Sequence, residues 1–140
     1  MKTHTLIETE TAAIATTRDA FMQSGYCEPT CFIRTRDGRA VVAFIPEMPD
    51  TPEGFTEMVR ALFARVDVAQ YTFALPSFAI KVEDGRVPSG SIESNPDARS
   101  CVAFISEDLL THEKRAGACF ALTPDSPKGK PALSANMLVD

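Results

Sequence analysis

The clearest alternation of apolar and polar positions lies between Thr51 and Asp67. Its apolar side chains recur at intervals of three and four residues: Phe55, Met58, Val59, Leu62, Phe63 and Val66. This spacing puts them on one face of a helix and fits no strand period. Thr51 is suited to cap the first free backbone N–H groups, and Pro52 fits a first turn where a missing N–H costs nothing. The pattern predicts a helix that needs a sheet beneath its apolar face.

An earlier stretch, from Thr5 to Ser24, carries apolar pairs that recur every seven residues, and it ends at Gly25. These pairs are Leu6/Ile7, Ala13/Ile14 and Ala20/Phe21. The repeat predicts a second helix, with Gly25 as a left-handed stop. Because threonine is a poor helix former, this helix must gain its stability by docking.

A hairpin is predicted around Asp37-Gly38, a dipeptide that suits a two-residue type I′ turn. Such a turn pairs Ile33 with Val42 and Cys31 with Phe44. It predicts one apolar face beneath a helix, made by Cys31, Ile33, Val42 and Phe44. The opposite face then carries Phe32, Arg34, Arg36, Arg39 and Val41.

Three further strands are indicated, at Val68 to Leu75, Ser100 to Ser106 and Gly117 to Leu122. The side-chain phase slips at Leu75-Pro76-Ser77, which favours a β-bulge or break there. Glu107 to Arg115 reads as a charged connection. The order strand, helix, strand indicates a crossover between parallel strands of one sheet.

Together these elements predict an α+β fold: a mixed, mostly antiparallel sheet of about five strands, with two helices packed on one face. Residues 1–122 form a single domain in this interpretation, and residues 123–140 form an extended or partly disordered tail. In the tail, Leu133, Met137, Leu138 and Val139 could dock.

Composition narrows the function classes. The chain has 44% hydrophobic and 24% charged residues and a net charge of -5. This balance disfavours nucleic acid and anionic membranes as partners. The longest apolar run, Ala40 to Ile45, is far too short to cross a bilayer. No secretory signal is recognised, so the four cysteines are expected as reduced thiols in the cytoplasm.

The common catalytic and cofactor motifs are missing from the sequence, so no catalytic residue, metal or cofactor is assigned. The cysteines leave three interpretations open. Cys27 and Cys31 could form a thiol pair, or half of a zinc site completed by Cys101 and Cys119. The favoured alternative treats them as small buried hydrophobes, since three of them alternate with apolar neighbours in strands.

Two groups of charged residues are candidate sites. Arg34, Arg36 and Arg39 cluster at the hairpin tip, where they could bind an anion unless Asp37 and other carboxylates neutralise them. The second group lies in the loop from Glu83 to Arg99, which lacks apolar periodicity. Its members Glu83, Glu93, Asp97 and Arg99 could support acid–base hydrolysis or hold a divalent ion, or they could simply be solvated.

The order of elements, with Asn95 to Arg99 just before Cys101 to Ile105, resembles a group of small uncharacterised α+β proteins from prokaryotes and phages. Where that group tends to carry an acidic residue and a tryptophan, this chain has Pro76, Ser77 and Phe78. The resemblance implies no established activity, so no functional residue is carried over from it.

The sequence favours a small cytoplasmic accessory or protein-interaction protein, from a phage or another mobile element, that works by surface contacts. Self-association through an edge strand near Pro76 or through the tail fits this hypothesis. Two alternatives stay open. One is a small hydrolase-like enzyme using the acidic loop, and the other is an anion or nucleic-acid binder using the arginine tip.

Overall fold

The computed structural model describes residues 5–79, 98–122, 132–134 and 137–138. Within these residues the elements are α1 (Leu6–Ser24), β1 (Thr30–Thr35), β2 (Ala40–Phe44), α2 (Pro52–Arg65), β3 (Val68–Ala79), β4 (Arg99–Asp108), β5 (Lys114–Leu122), β6 (Ala132–Leu133) and β7 (Met137–Leu138). Neither helix is long and apolar enough to span a membrane.

The described strands form one sheet in the order β2-β1-β3-β4-β5-β6, with β7 also paired to β5. Every hydrogen-bonded pair of strands is antiparallel. The α+β class is confirmed. The sheet has more strands than the five expected because β6 and β7, two short pieces of the C-terminal stretch, add to β5. Leu133 on β6 is buried in the core.

Both helices begin where their sequence patterns indicate, and α1 also ends there, whereas α2 ends at Arg65, and Val66, the last position of its apolar pattern, is extended. The Thr5 hydroxyl accepts a hydrogen bond from the Glu8 N–H at 3.1 Å, and Gly25 closes α1 in the left-handed conformation with φ 72°. The Thr51 hydroxyl accepts from the Gly54 N–H at 3.1 Å, which caps α2. Each cap satisfies a donor that the helix itself leaves unpaired.

The two helices lie on opposite faces of the sheet, which corrects the expectation that they share one. The α1 face contains Phe32, Ala74, Val102, Phe104 and Cys119. The α2 face contains Cys31, Ile33 and Phe73. Neighbouring residues of a strand point to opposite faces, so β1 and β3 bury side chains on both sides. The α1 side of β3 also carries the buried polar residues Gln70 and Thr72.

The hairpin register differs by one residue from the expected one. Ile33 pairs with Val41, and Phe32 pairs with Val42. The turn has three residues, because the Thr35 N–H donates to the Arg39 carbonyl at 2.9 Å and Gly38 takes a positive φ of 88°. A one-residue slip moves every β2 side chain to the other face. Val42 and Phe44 therefore lie on the α1 side and not beneath α2.

The expected break at Pro76 is also wrong. Strand β3 pairs with β4 without a register shift from Gln70 to Ala79, and Pro76 lies opposite Val102. The pairing of β3 with β1 ends at Ala74. Beyond Ala74, β3 is paired with β4 but no longer with β1. A proline is tolerated where no ladder hydrogen bond is needed from it.

The crossover from β2 through α2 to β3 has the expected parallel orientation. Both strands are antiparallel to β1, which lies between them. The expected charged connection between β4 and β5 is shorter than predicted, because the two strands continue until Glu107 pairs with Lys114. This arrangement leaves β2 at one end of the sheet.

Candidate functional site

The arginine tip is occupied by internal partners. Arg36 Nε lies 3.2 Å from a carboxylate oxygen of Asp67, and Arg39 Nε lies 2.9 Å from one of Asp37. A hydrogen bond from the Thr35 hydroxyl, and to a smaller extent hydrogen bonds from Arg39, hold the pKa of Asp37 below its usual range. These pairs place a carboxylate beside two of the three arginines, Arg36 and Arg39.

Arg34 lies apart from the other two arginines of the tip. It donates through Nη1 to the Gly38 carbonyl at 3.1 Å, which braces the turn. Its Nε is buried and has no hydrogen-bond partner among the described residues. The three arginines thus do not converge on one point, since each contacts a different acceptor.

Most of the second candidate site falls outside the described residues, namely Glu83, Glu93 and Asp97. Its remaining member, Arg99, is exposed at the start of β4. The guanidinium carbon lies 4.7 Å from the centre of the Phe120 ring. This distance is typical of a cation–π contact, which ties Arg99 to the neighbouring strand.

All four cysteines are buried free thiols. Burial raises the pKa of Cys27 to about 11, with a further contribution from Glu28, and burial raises the pKa of Cys31 to about 12. The pKa values of Cys101 and Cys119 are raised by burial as well. Such thiols stay protonated near neutral pH and are poor nucleophiles. In the described parts of the chain, no cluster of three or more metal-ligating side chains occurs.

A buried polar network lies between α1 and the sheet, and the sequence analysis missed it. The Thr9 hydroxyl donates to Gln70 Oε1 at 2.6 Å, and Gln70 Nε2 donates to Asp108 at 2.9 Å. Burial alone would raise the pKa of Asp108. Hydrogen bonds from Gln70 and from the backbone N–H groups of Thr111 and Leu110 outweigh burial and lower it. Asp108 is therefore held as a carboxylate.

Glu10 occupies the other half of this network. It accepts from the Ser106 hydroxyl at 3.3 Å and from Arg115 Nε at 3.2 Å, and Ser106 shares a hydrogen bond with Thr72 at 2.7 Å. Glu10, Ser106 and Thr72 are all buried. The network fastens α1 to the sheet and does not present these groups to a ligand. Polar residues at alternating strand positions were the signal that could have found it.

Among the described residues of the sheet, the outer strand β2 carries the most exposed large apolar side chains. Phe44 is 65% exposed and Val42 is 49% exposed, on the face that α1 covers elsewhere. Among the described residues β2 pairs only with β1, so its other edge is unpaired. Isolated exposed apolar residues are ordinary, whereas here two of them lie beside a strand edge with which no described residue pairs.

Apolar grooves flank this edge on both faces of the sheet. One groove of about 310 Å³ lies against α1 and is lined by Ala20, Tyr26, Phe32, Val42 and Phe44, among others. The other, of about 400 Å³, lies against α2 and is lined by Ala43, Ile45, Met58 and Leu62, again with Phe44. A strand added at β2 would have room for side chains on both of its faces. We refer to β2 with these two grooves as the β2 edge.

Sequence reasoning missed the β2 edge because the two-residue turn placed Val42 and Phe44 under a helix. The available signal was Thr35, whose hydroxyl accepts from the Arg39 N–H at 2.9 Å and donates to Asp37. These bonds stabilise the longer turn. Comparison with known proteins adds no assignment: neither a family model, nor a curated protein, nor a solved structure matches this chain.

Proposed function

We propose that this chain is a small accessory protein that binds another polypeptide along the β2 edge. The observation that carries the proposal is the exposure of Val42 and Phe44 beside a strand edge that no described strand pairs. An extended peptide that adds a strand to a sheet gains main-chain hydrogen bonds, and pockets for alternate side chains give it specificity. The β2 edge offers both features.

The devices that usually protect an edge are missing from the strand itself. Residues Ala40–Phe44 include no charged side chain and no proline. Natural edge strands avoid unwanted pairing by such residues or by bulges. A strand that lacks them is suited to pair with another chain. The four free thiols support a reducing compartment, in agreement with the expected cytoplasmic location.

Peptide selection tests the proposal. A library of random twelve-residue peptides would be displayed on phage and selected on the purified protein, with a Phe44→Glu variant as the counter-target. We expect peptides with alternating apolar residues that bind the wild type at least about tenfold more tightly than the variant. Bound peptides should also slow amide exchange at Val42 and Phe44.

The matched control is Leu110→Glu, because Leu110 is 59% exposed in the turn between β4 and β5, far along the sheet from β2. This variant should bind selected peptides as the wild type does. Selection that yields no peptide able to distinguish wild type from Phe44→Glu would contradict the proposal.

A further inference from the structure

We propose that the polypeptide bound at the β2 edge is a second copy of this chain. In this arrangement the two β2 strands pair antiparallel about a two-fold axis that passes beside Val42. The inference rests on the proposed function and names its partner. Three features of β2 support a second copy: the backbone groups that point away from the sheet, the side chains beside those groups, and the charges at the two ends of β2.

The hydrogen bonds of the hairpin show which backbone groups point outward. The Thr35 N–H donates to the Arg39 carbonyl, and the Ile45 N–H donates to the Pro29 carbonyl, both at 2.9 Å. Hydrogen bonding alternates along an antiparallel strand, so the backbone N–H and C=O groups of the odd-numbered residues from 39 to 45 point toward β1. The N–H and C=O groups of Ala40, Val42 and Phe44 therefore point away from the sheet.

Both ends of this free edge are closed. The Gly38 N–H already donates to the Thr35 carbonyl at 3.0 Å, and Pro46 has no N–H to offer. Antiparallel pairing centred on Val42 places Ala40 of each copy opposite Phe44 of the other and pairs all the outward groups. A shift by two residues in either direction would leave one strand residue opposite Gly38 or Pro46. The free groups therefore select a single register.

The side chains fit the same register. On the α1 face, Phe44 of one copy lies opposite Ala40 of the other, and the two Val42 side chains meet at the axis. A large ring beside a methyl group leaves space for the ring to lie flat across the neighbouring strand. The pairing would cover Val42 and Phe44, the two apolar side chains that β2 exposes most.

The charges at the two ends of the strand are opposite. The turn end carries Arg34, Arg36 and Arg39, which outnumber the carboxylates Asp37 and Asp67 that pair with them. The other end is followed by Glu47 and Asp50, with no basic residue between Ile45 and Thr51. Antiparallel self-pairing brings the basic end of each copy to the acidic end of the other. Parallel pairing would bring like charges together.

Sedimentation and disulfide trapping test the inference. A five-residue strand pair is a small interface, so we expect a reversible dimer with a dissociation constant on the order of 10–100 µM. Analytical ultracentrifugation of the full chain should show its mass rise from monomer to dimer over this range. Phe44→Glu should weaken association at least about tenfold, whereas Leu110→Glu should leave it unchanged.

Disulfide trapping reports the register. Facing residues of a hydrogen-bonded antiparallel pair have Cα atoms about 5.5 Å apart, within reach of a disulfide. Val42→Cys should therefore form a covalent dimer under mild oxidation. Ala40→Cys should not, because its counterpart lies about 13 Å away, four residues along the strand. Val42→Pro removes an outward N–H and replaces the side chain at the axis, so it should reduce association while thermal unfolding stays cooperative.

Several outcomes would overturn the inference. The first is a wild-type protein that is still monomeric at about 500 µM. The second is disulfide trapping of Val42→Cys and Ala40→Cys to the same extent. The third is a Phe44→Glu or Val42→Pro variant that associates as strongly as the wild type. A monomer that still binds selected peptides at the β2 edge would reject the second copy as partner but leave the proposed function standing. A dimer insensitive to Phe44→Glu, in a protein that selects no peptide, would reject both.

Discussion

Helix α1 buries Leu6, Ala13 and three polar side chains against the sheet, whereas α2 on the opposite face buries none of its residues completely. The difference follows from the side chains at each contact. Between α2 and the sheet the Phe55 and Phe73 rings lie 5.5 Å apart, and the Phe63 and Tyr71 rings lie 5.1 Å apart. Large rings hold a helix farther from a sheet than small side chains do, and here Phe55, Phe63 and Tyr71 stay partly exposed.

The α1 contact is closer because small side chains form part of it. Ala13 of α1 and Ala74 of β3 are both fully buried. The close approach also encloses Glu10 and Thr9, which is tolerated because each has a hydrogen-bond partner. A regular apolar stripe therefore predicts which face of a helix packs against the sheet. How deeply that face is buried depends on side-chain size and on polar partners.

The largest contrast is expected from one leucine on each helix. Leu6→Ala should lower the free energy of unfolding by about 2–4 kcal/mol, because Leu6 is buried and its loss leaves a cavity. Leu62→Ala should cost about 1–2 kcal/mol, since Leu62 is only partly buried and water can fill the space. Urea unfolding followed by circular dichroism measures both. Equal losses would show that the two faces are packed alike.

A smaller effect is expected where the polar network holds α1. Glu10→Gln keeps the shape of the side chain but removes the charge that faces Arg115. It should lower the free energy of unfolding by about 1–3 kcal/mol, at the lower end if Arg115 turns to solvent. Glu57→Gln, at an exposed position on α2, is the matched control and should change it by less than about 0.5 kcal/mol. A network that only fills space would tolerate both changes.

The smallest effect concerns pH. Because the folded pKa of Asp108 is lowered, its contribution to stability is present above the unfolded pKa of about 3.9 and is lost as pH falls through the folded value. Asp108→Asn should cost about 1–2 kcal/mol at pH 7, because an amide N–H then opposes the donor Gln70. The variant should also lose less stability than the wild type below pH of about 4. Parallel acid profiles would contradict this account.

The sequence predicted the helices well because their signals are local. The N-cap Thr51 and the left-handed Gly25 both act within a few residues of their helix ends. The strand positions were also correct, apart from their lengths and the two short strands near the C-terminus. Lys114 and Glu107, for instance, were placed in a connection but extend the sheet.

The features that could not be predicted depend on distant partners. A Gly at position 38 fits both a two-residue and a three-residue turn, and the side-chain bonds of Thr35 favour the longer one. The face of each helix was ambiguous because β1 is apolar on both sides, at Phe32 and at Ile33. Glu10 and Arg115 are far apart in the chain, so their pairing leaves no spacing to recognise. The β2 edge was missed for the first of these reasons.

The outward edge of β2 is the surface at which two copies of the chain are proposed to meet. Amide hydrogen exchange, resolved by residue with NMR and repeated across a concentration series, examines that edge directly. We predict that exchange at Ala40, Val42 and Phe44 slows as concentration rises, while Val41 and Ala43, which face β1, are slow throughout. Exchange at Val42 and Phe44 that is independent of concentration, or protection that develops on another element, would contradict the account.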